Sequence, residues 1–190
     1  MVLGHYGSAN RAYHDLRHLD ECLAVFDEVA AQARRPDEVE AALWFHDVIY
    51  DPDAGDNEER SAALAEELLG RAGVRTEHLA EIRRLILATG HRGVRDVQDD
   101  AALVTDIDLA IFGSDAARFD EYESGIRREY DFVPDAEFRR RRAQILEGFM
   151  TRPTVYATPW FIGRLETRAR ANLGRSIAAL RSVDPPAAPA

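Results

Sequence analysis

The stretch Ala42-Leu43-Trp44-Phe45-His46-Asp47-Val48-Ile49-Tyr50 sets an imidazole and a carboxylate side by side inside an apolar run. A buried carboxylate without a counter-charge is costly, so it either shifts its pKa or acquires a cation. A divalent metal serves both neighbours at once, because it accepts nitrogen and oxygen ligands together. Further candidate ligands lie on both sides: His14 and His18 upstream, and His91, Asp106 and Asp108 downstream. The one cysteine, Cys22, excludes an intramolecular disulfide and any multi-cysteine zinc site. Placed between leucines at helical spacing, it reads as core packing.

The elements that must position these groups are helical, since apolar spacing is helical nearly throughout and β-branched runs bounded by turns are scarce. A first helix is expected from Tyr13 to about Gln32, with Leu16, Leu19, Leu23, Phe26 and Ala30 on one face. On that projection His18 falls inside the apolar arc and His14 at its edge. Pro36 suits the first turn of a second helix that carries Val39, Leu43, His46 and Asp47. It should end by Tyr50, because Pro52 disfavours helical geometry at Asp51. The acidic stretch Asp51 to Asp56 lacks the oxygen spacing and closing glutamate of a calcium loop, and reads as a solvated turn.

Asn57 can cap a third helix, Glu58 to Leu69, which Gly70 ends, and Thr76 a fourth, which Gly90 stops just before His91. A fifth begins at Asp99 or Asp100 and ends at Gly113. On it Asp106 and Asp108 flank the Leu103–Ile107 stripe about equally, so periodicity does not choose between them. Ser114 opens a sixth helix, Pro134 precedes a seventh, and Thr158-Pro159 starts the last. The expected fold class is all-α, with one helical domain over 1–183 and a flexible tail over 184–190.

A chain of 190 residues is long enough for one well-buried core. The net charge of −10 argues against a general nucleic-acid-binding surface. All 24 residues counted as lysine or arginine are arginine, and a local arginine pocket for a phosphorylated small molecule remains compatible with that charge. The run Arg139 to Arg142 reads as a solvated face. No stretch approaches the roughly 20 apolar residues that span a membrane. The opening residues lack a basic region followed by an apolar stretch, so a cytoplasmic protein is expected.

His18, then His46-Asp47, then an aspartate at 106 or 108, is the ligand order of the HD superfamily of metal-dependent phosphohydrolases. The chain resembles the small HD-domain proteins described as predicted metal-dependent phosphohydrolases. The resemblance is carried by Tyr13-His14-Asp15-Leu16-Arg17-His18, by Trp44 to Tyr50, by Asn57-Glu58-Glu59-Arg60-Ser61-Ala62 and by Asp106-Ile107-Asp108-Leu109-Ala110-Ile111-Phe112-Gly113. Ile126-Arg127-Arg128-Glu129-Tyr130 and Glu166-Thr167-Arg168-Ala169-Arg170-Ala171-Asn172 extend it. It implies a helical bundle of the HD type, with one divalent cation on His18, His46, Asp47 and Asp108 and waters completing an octahedron. An aspartate followed by Leu-Ala-Ile is the family pattern, and it alone favours Asp108 over Asp106. Such a ligand set suits manganese, nickel, cobalt, iron or magnesium better than tetrahedral zinc.

Some relatives hold two metals and need extra histidines before the last aspartate. This chain offers only His78 and His91 there, so one ion is expected. The implied activity is hydrolysis of a small phosphorylated metabolite, a nucleotide by preference. Glu58 or Asp47 would move the proton. His14, His91, Arg128 and Arg168 are the expected substrate contacts. Two rival readings are an HD-type iron oxygenase and a non-catalytic nucleotide-sensing module. The sequence leaves the oligomeric state open.

Overall fold

The computed structural model describes residues 2–8, 10–90 and 99–182, so His91 and the 184–190 tail lie outside the described residues. Among the described residues there is no strand, and nine α-helices carry the fold. They are α1 (Val2–Tyr6), α2 (Leu16–Val29), α3 (Pro36–Phe45), α4 (Asn57–Arg71), α5 (Thr76–Ala88), α6 (Asp100–Asp108), α7 (Ala116–Glu129), α8 (Asp135–Met150) and α9 (Pro159–Arg181). The fold class is all-α. Where the sequence shows no boundary, the chain divides into two compact units, Met1–Ala110 and Ile111–Ala190.

In the first unit α5 packs on α3, α4 and α6, and α2 packs on α3 and α6. Leu19, Val29, Val39, Leu43, Leu85, Ile86, Val104 and Ile107 fill the space between them. Asp100, at the start of α6, accepts hydrogen bonds from the backbone N–H groups of Arg34 (2.8 Å) and Arg35 (2.9 Å). The entry to α3 is thereby tied to α6.

The boundaries of α2 and α4 differ from expectation, each for a local reason. Helix α2 starts at Leu16 rather than Tyr13, because the Asp15 side chain caps it, accepting from the N–H groups of Arg17 and His18. Helix α4 has no side-chain cap. Asn57 instead clasps the preceding loop, accepting from Asp51 N–H at 3.0 Å and donating to the Asp51 carbonyl at 2.8 Å. After α4 the left-handed position belongs to Gly73 (φ +89°), three residues beyond the expected Gly70.

In the second unit α8 runs along α9, around Phe119, Leu146, Phe161 and Leu173. The arginine run is not uniformly solvated. Arg142 is only 8% exposed and donates to Glu123 and to the Tyr122 hydroxyl, because its position in the run faces α7. The Glu166–Asn172 segment holds loops in place. Glu166 accepts from the N–H groups of Val155 (2.9 Å) and Tyr156 (3.3 Å), and Arg170 donates to the carbonyls of Arg152 (2.9 Å) and Pro153 (2.8 Å). Asn172 donates to the carbonyls of Phe112 (2.9 Å) and Ser114 (3.0 Å).

Between those two carbonyls Gly113 meets α9 so closely that a Cβ would stand 2.6 Å from Leu165 Cβ and 3.1 Å from its carbonyl oxygen. Neither neighbour is a flexible side-chain end. Gly113→Ala is therefore expected to destabilise the protein by about 1–3 kcal/mol. Denaturant titration reads this as a lower midpoint, and an unchanged midpoint contradicts it. No helix among the described residues is long and apolar enough to cross a membrane.

Candidate metal centre

Three element ends of the first unit meet at one point. Helix α2 contributes His18 from its first turn, where the Asp15 cap fixes the backbone. Helix α3 ends at Phe45, so His46 is its C-cap and Asp47 lies in the turn just beyond, not in a helix as expected. Helix α6 delivers Asp108 as its last residue.

Four donor atoms converge there. His18 Nε2 is 3.2 Å from His46 Nε2, 3.4 Å from Asp47 Oδ2 and 3.2 Å from Asp108 Oδ1. His46 Nε2 is 3.1 Å from Asp47 Oδ2 and 3.6 Å from Asp108 Oδ1. Neighbouring ligands of a six-coordinate ion with bonds of about 2.1 Å stand about 3 Å apart. The observed spacing fits such a shell with little adjustment.

The protonation pattern fits as well. His46 Nδ1 lies 2.8 Å from the Leu43 carbonyl. A carbonyl only accepts, so Nδ1 carries a proton and Nε2 is the nitrogen turned toward the other three donors. Metal-ligating histidines are oriented in this way. Asp47 Oδ2 is shut off from solvent and, although close to both imidazole nitrogens, accepts no hydrogen bond of ordinary geometry. A buried, unsatisfied carboxylate oxygen beside two inward nitrogens is what a cation would complete.

His18, Cys22, His46 and Asp108 form a group whose ligand atoms all lie within 4.8 Å of one another, and such a group can hold a metal ion. Within it Cys22 is the outlier. Its Sγ is 3.8 Å from both Nδ1 and Nε2 of His18, so it lies against the ring and not along the Nε2 lone pair. Asp47 approaches both imidazole nitrogens more closely. The thiol packs one helical turn from His18, a placement the i, i+4 spacing already carries.

Electrostatics follow from two anions facing two buried imidazoles. Burial opposes charge on His18, yet Cys22, Tyr13, Asp108 and Asp47 hold its pKa well above the usual imidazole value. Burial opposes charge on His46 too, and Asp47, Asp108 and Tyr6 outweigh it, again well upward. Burial works against the Asp47 carboxylate, but His46, His14 and His18 hold its pKa well below the ordinary range. Without a metal, protons supply the positive charge that these carboxylates require.

The other expected residues are distributed unevenly. His14 is half-buried, stacked on Tyr50 with ring centroids 4.2 Å apart and edge-on to His18 at 5.8 Å. Asp106 is 0% exposed and is not part of the converging group. Glu58, half-buried at the start of α4, lies against Gly90, where a Cβ would meet its Cδ at 3.4 Å. His78 is engaged elsewhere: it donates from Nδ1 to Glu38 Oε1 at 2.7 Å and accepts from Arg75 at Nε2, also 2.7 Å. Arg128 and Arg168 are exposed on α7 and α9. His91 lies outside the described residues. Arg11, which sequence reasoning passed over, donates to the backbone carbonyl of Asp47 itself.

No protein-family model, curated protein or solved structure matches the chain. Functional meaning therefore comes from the chemistry of the side chains themselves.

Proposed function

We propose that the chain is a metal-dependent phosphohydrolase of the HD type, acting on a small phosphorylated metabolite, with nucleotides the foremost class. The observation that carries this reading is the convergence of His18, His46, Asp47 and Asp108, from three separate element ends, at 3.1–3.6 Å. Two imidazoles and two carboxylates form a mixed donor set suited to one manganese, nickel, cobalt, iron or magnesium ion. The engagement of His78 with Glu38 and Arg75 supports a single ion, since it withdraws one of the two histidines a second would need.

When bound, the ion supplies Lewis acidity for water activation and for neutralising phosphoryl charge. The side chains do the rest. The hydrogen bond from His46 to the Leu43 carbonyl fixes the ring so that it need not reorganise on binding. His14, half-exposed beside His18, offers an imidazole donor to a substrate anion. His91 is assigned the same task. Glu58, or Asp47 itself, takes up the proton from the attacking water.

The test is phosphate release from a panel of nucleoside mono-, di- and triphosphates by protein loaded in turn with each candidate cation. Turnover that is lost with chelator and restored by one cation is expected. No turnover on any substrate with any cation would overturn the reading. Tight nucleotide binding without turnover would point to a sensor, and oxygen uptake with iron to an oxygenase.

A further inference from the structure

Arg11 lies in the turn before α2 and is only 9% exposed. Its Nη1 donates to the carbonyls of His14 and Asp47, both at 2.7 Å, and its Nη2 to the carbonyl of Val48 at 3.1 Å. Its Nε donates to Ser8 Oγ at 3.2 Å. The guanidinium carbon stands 5.1 Å from the Tyr6 ring centroid and 5.5 Å from that of Tyr50. Tyr6 is itself fixed, donating its hydroxyl proton to the Trp44 carbonyl at 3.1 Å.

A buried charge held this way needs a reason. Helix α3 ends at Phe45, and the backbone carbonyls of the turn that follows require donors from elsewhere. A guanidinium presents five N–H groups in a rigid plane and reaches several carbonyls of two chain segments together. One of those segments ends four residues before His18. The other is the Asp47–Val48 turn. Arg11 therefore joins the backbones that carry two of the converging donors.

We propose that Arg11 is a positioning residue of the metal centre, a clamp that sets the Asp47 turn against the approach to His18. The proposal rests on the metal-centre reading. Without the clamp three carbonyls lose their donor, the 47–50 turn relaxes, and Asp47 Oδ2 drifts from the two imidazole nitrogens. Displacements of about 1 Å are enough to spoil such a constellation.

Cobalt(II) is the probe, because its ligand-field absorption reports coordination independently of any activity. Full-length wild type, Arg11→Gln and Arg11→Lys are titrated with cobalt(II), and far-UV circular dichroism and thermal melts are recorded for each. Wild type is expected to bind and to develop ligand-field bands. Arg11→Gln, while still folded at the titration temperature, is expected to bind about ten- to a hundredfold more weakly, with altered bands. Arg11→Lys keeps the charge but not the fork, and is expected to fall between the two. If either folded variant binds with wild-type affinity and wild-type bands, Arg11 is a packing residue and the clamp is wrong, while the metal centre stands. If wild type itself gives no bands, the metal centre fails and the clamp with it.

Discussion

Asp47→Ala abolishes metal retention and leaves the protein helical; this is the expected result with the largest effect. Asp47 Oδ2 is 3.1 Å from His46 Nε2, closer than Asp108 Oδ1, and 3.4 Å from His18 Nε2, so its removal opens one side of the donor set. Asp47 lies in a turn and not in a helix, so its truncation leaves α2, α3 and α6 with their own backbone bonds. His46→Ala takes away a nitrogen donor and leaves the Leu43 carbonyl without its partner, at a cost of about 1–3 kcal/mol in stability. For either variant the affinity for manganese or cobalt should fall by more than about a hundredfold, beyond what the loss of a supporting residue outside the ligand set produces. Metal analysis after gel filtration gives the occupancy, and far-UV circular dichroism gives the helicity. Full occupancy in both variants would mean that the ion binds elsewhere.

The second large effect is a reversal in the pH dependence of stability when metal is removed. In metal-free protein the elevated His18 and His46 pKa values contribute stability that is complete below the unfolded imidazole value of about 6.5. That contribution is lost as pH rises through the elevated values. The depressed Asp47 pKa contributes stability that is complete above the unfolded carboxyl value of about 3.9 and lost as pH falls through its folded value. The melting temperature with chelator should therefore decline from pH 6.5 upward. A divalent ion must displace the imidazole protons, so its apparent affinity climbs over the same interval and binding releases protons.

At a free concentration a hundredfold above the dissociation constant, binding adds about 2.7 kcal/mol. For a chain of this size that is a rise of roughly 5–10 °C. The gap between loaded and stripped protein should widen from pH 6 to pH 8. A gap that is constant, or that closes with rising pH, contradicts this proton–metal competition.

Helical periodicity made the eight larger helices legible, because each carries a long apolar stripe. Helix α1 has only five residues and no such stripe, so nothing in its pattern announces it. His18, which periodicity sets inside the apolar arc of the first helix, is buried on α2. The choice between Asp106 and Asp108 was beyond periodicity, since both flank one stripe. The end of α6 brings Asp108 Oδ1 to 3.2 Å from His18 Nε2, and Asp106 is not among the residues of that group.

Arg11 was invisible for a different reason. Its contacts with the Asp47 turn are to backbone carbonyls 36 and 37 residues away, and a carbonyl leaves no trace in side-chain spacing. Asn57 and Arg142 show the same limit: one exchanged a capping role for a clasp on Asp51, the other a solvated one for a buried ion pair. The division at Ala110 also has no compositional mark, because the chain crosses it in a short helical turn, Leu109–Gly113.

The central claim is that four side chains remote in sequence hold one cation in common. An anomalous-difference map from crystals grown with manganese tests it most directly. The account predicts one peak per chain, within about 2.3 Å of His18 Nε2, His46 Nε2, Asp47 Oδ2 and Asp108 Oδ1. A map with no peak among these atoms, at a manganese concentration that gives peaks elsewhere on the protein, would contradict it.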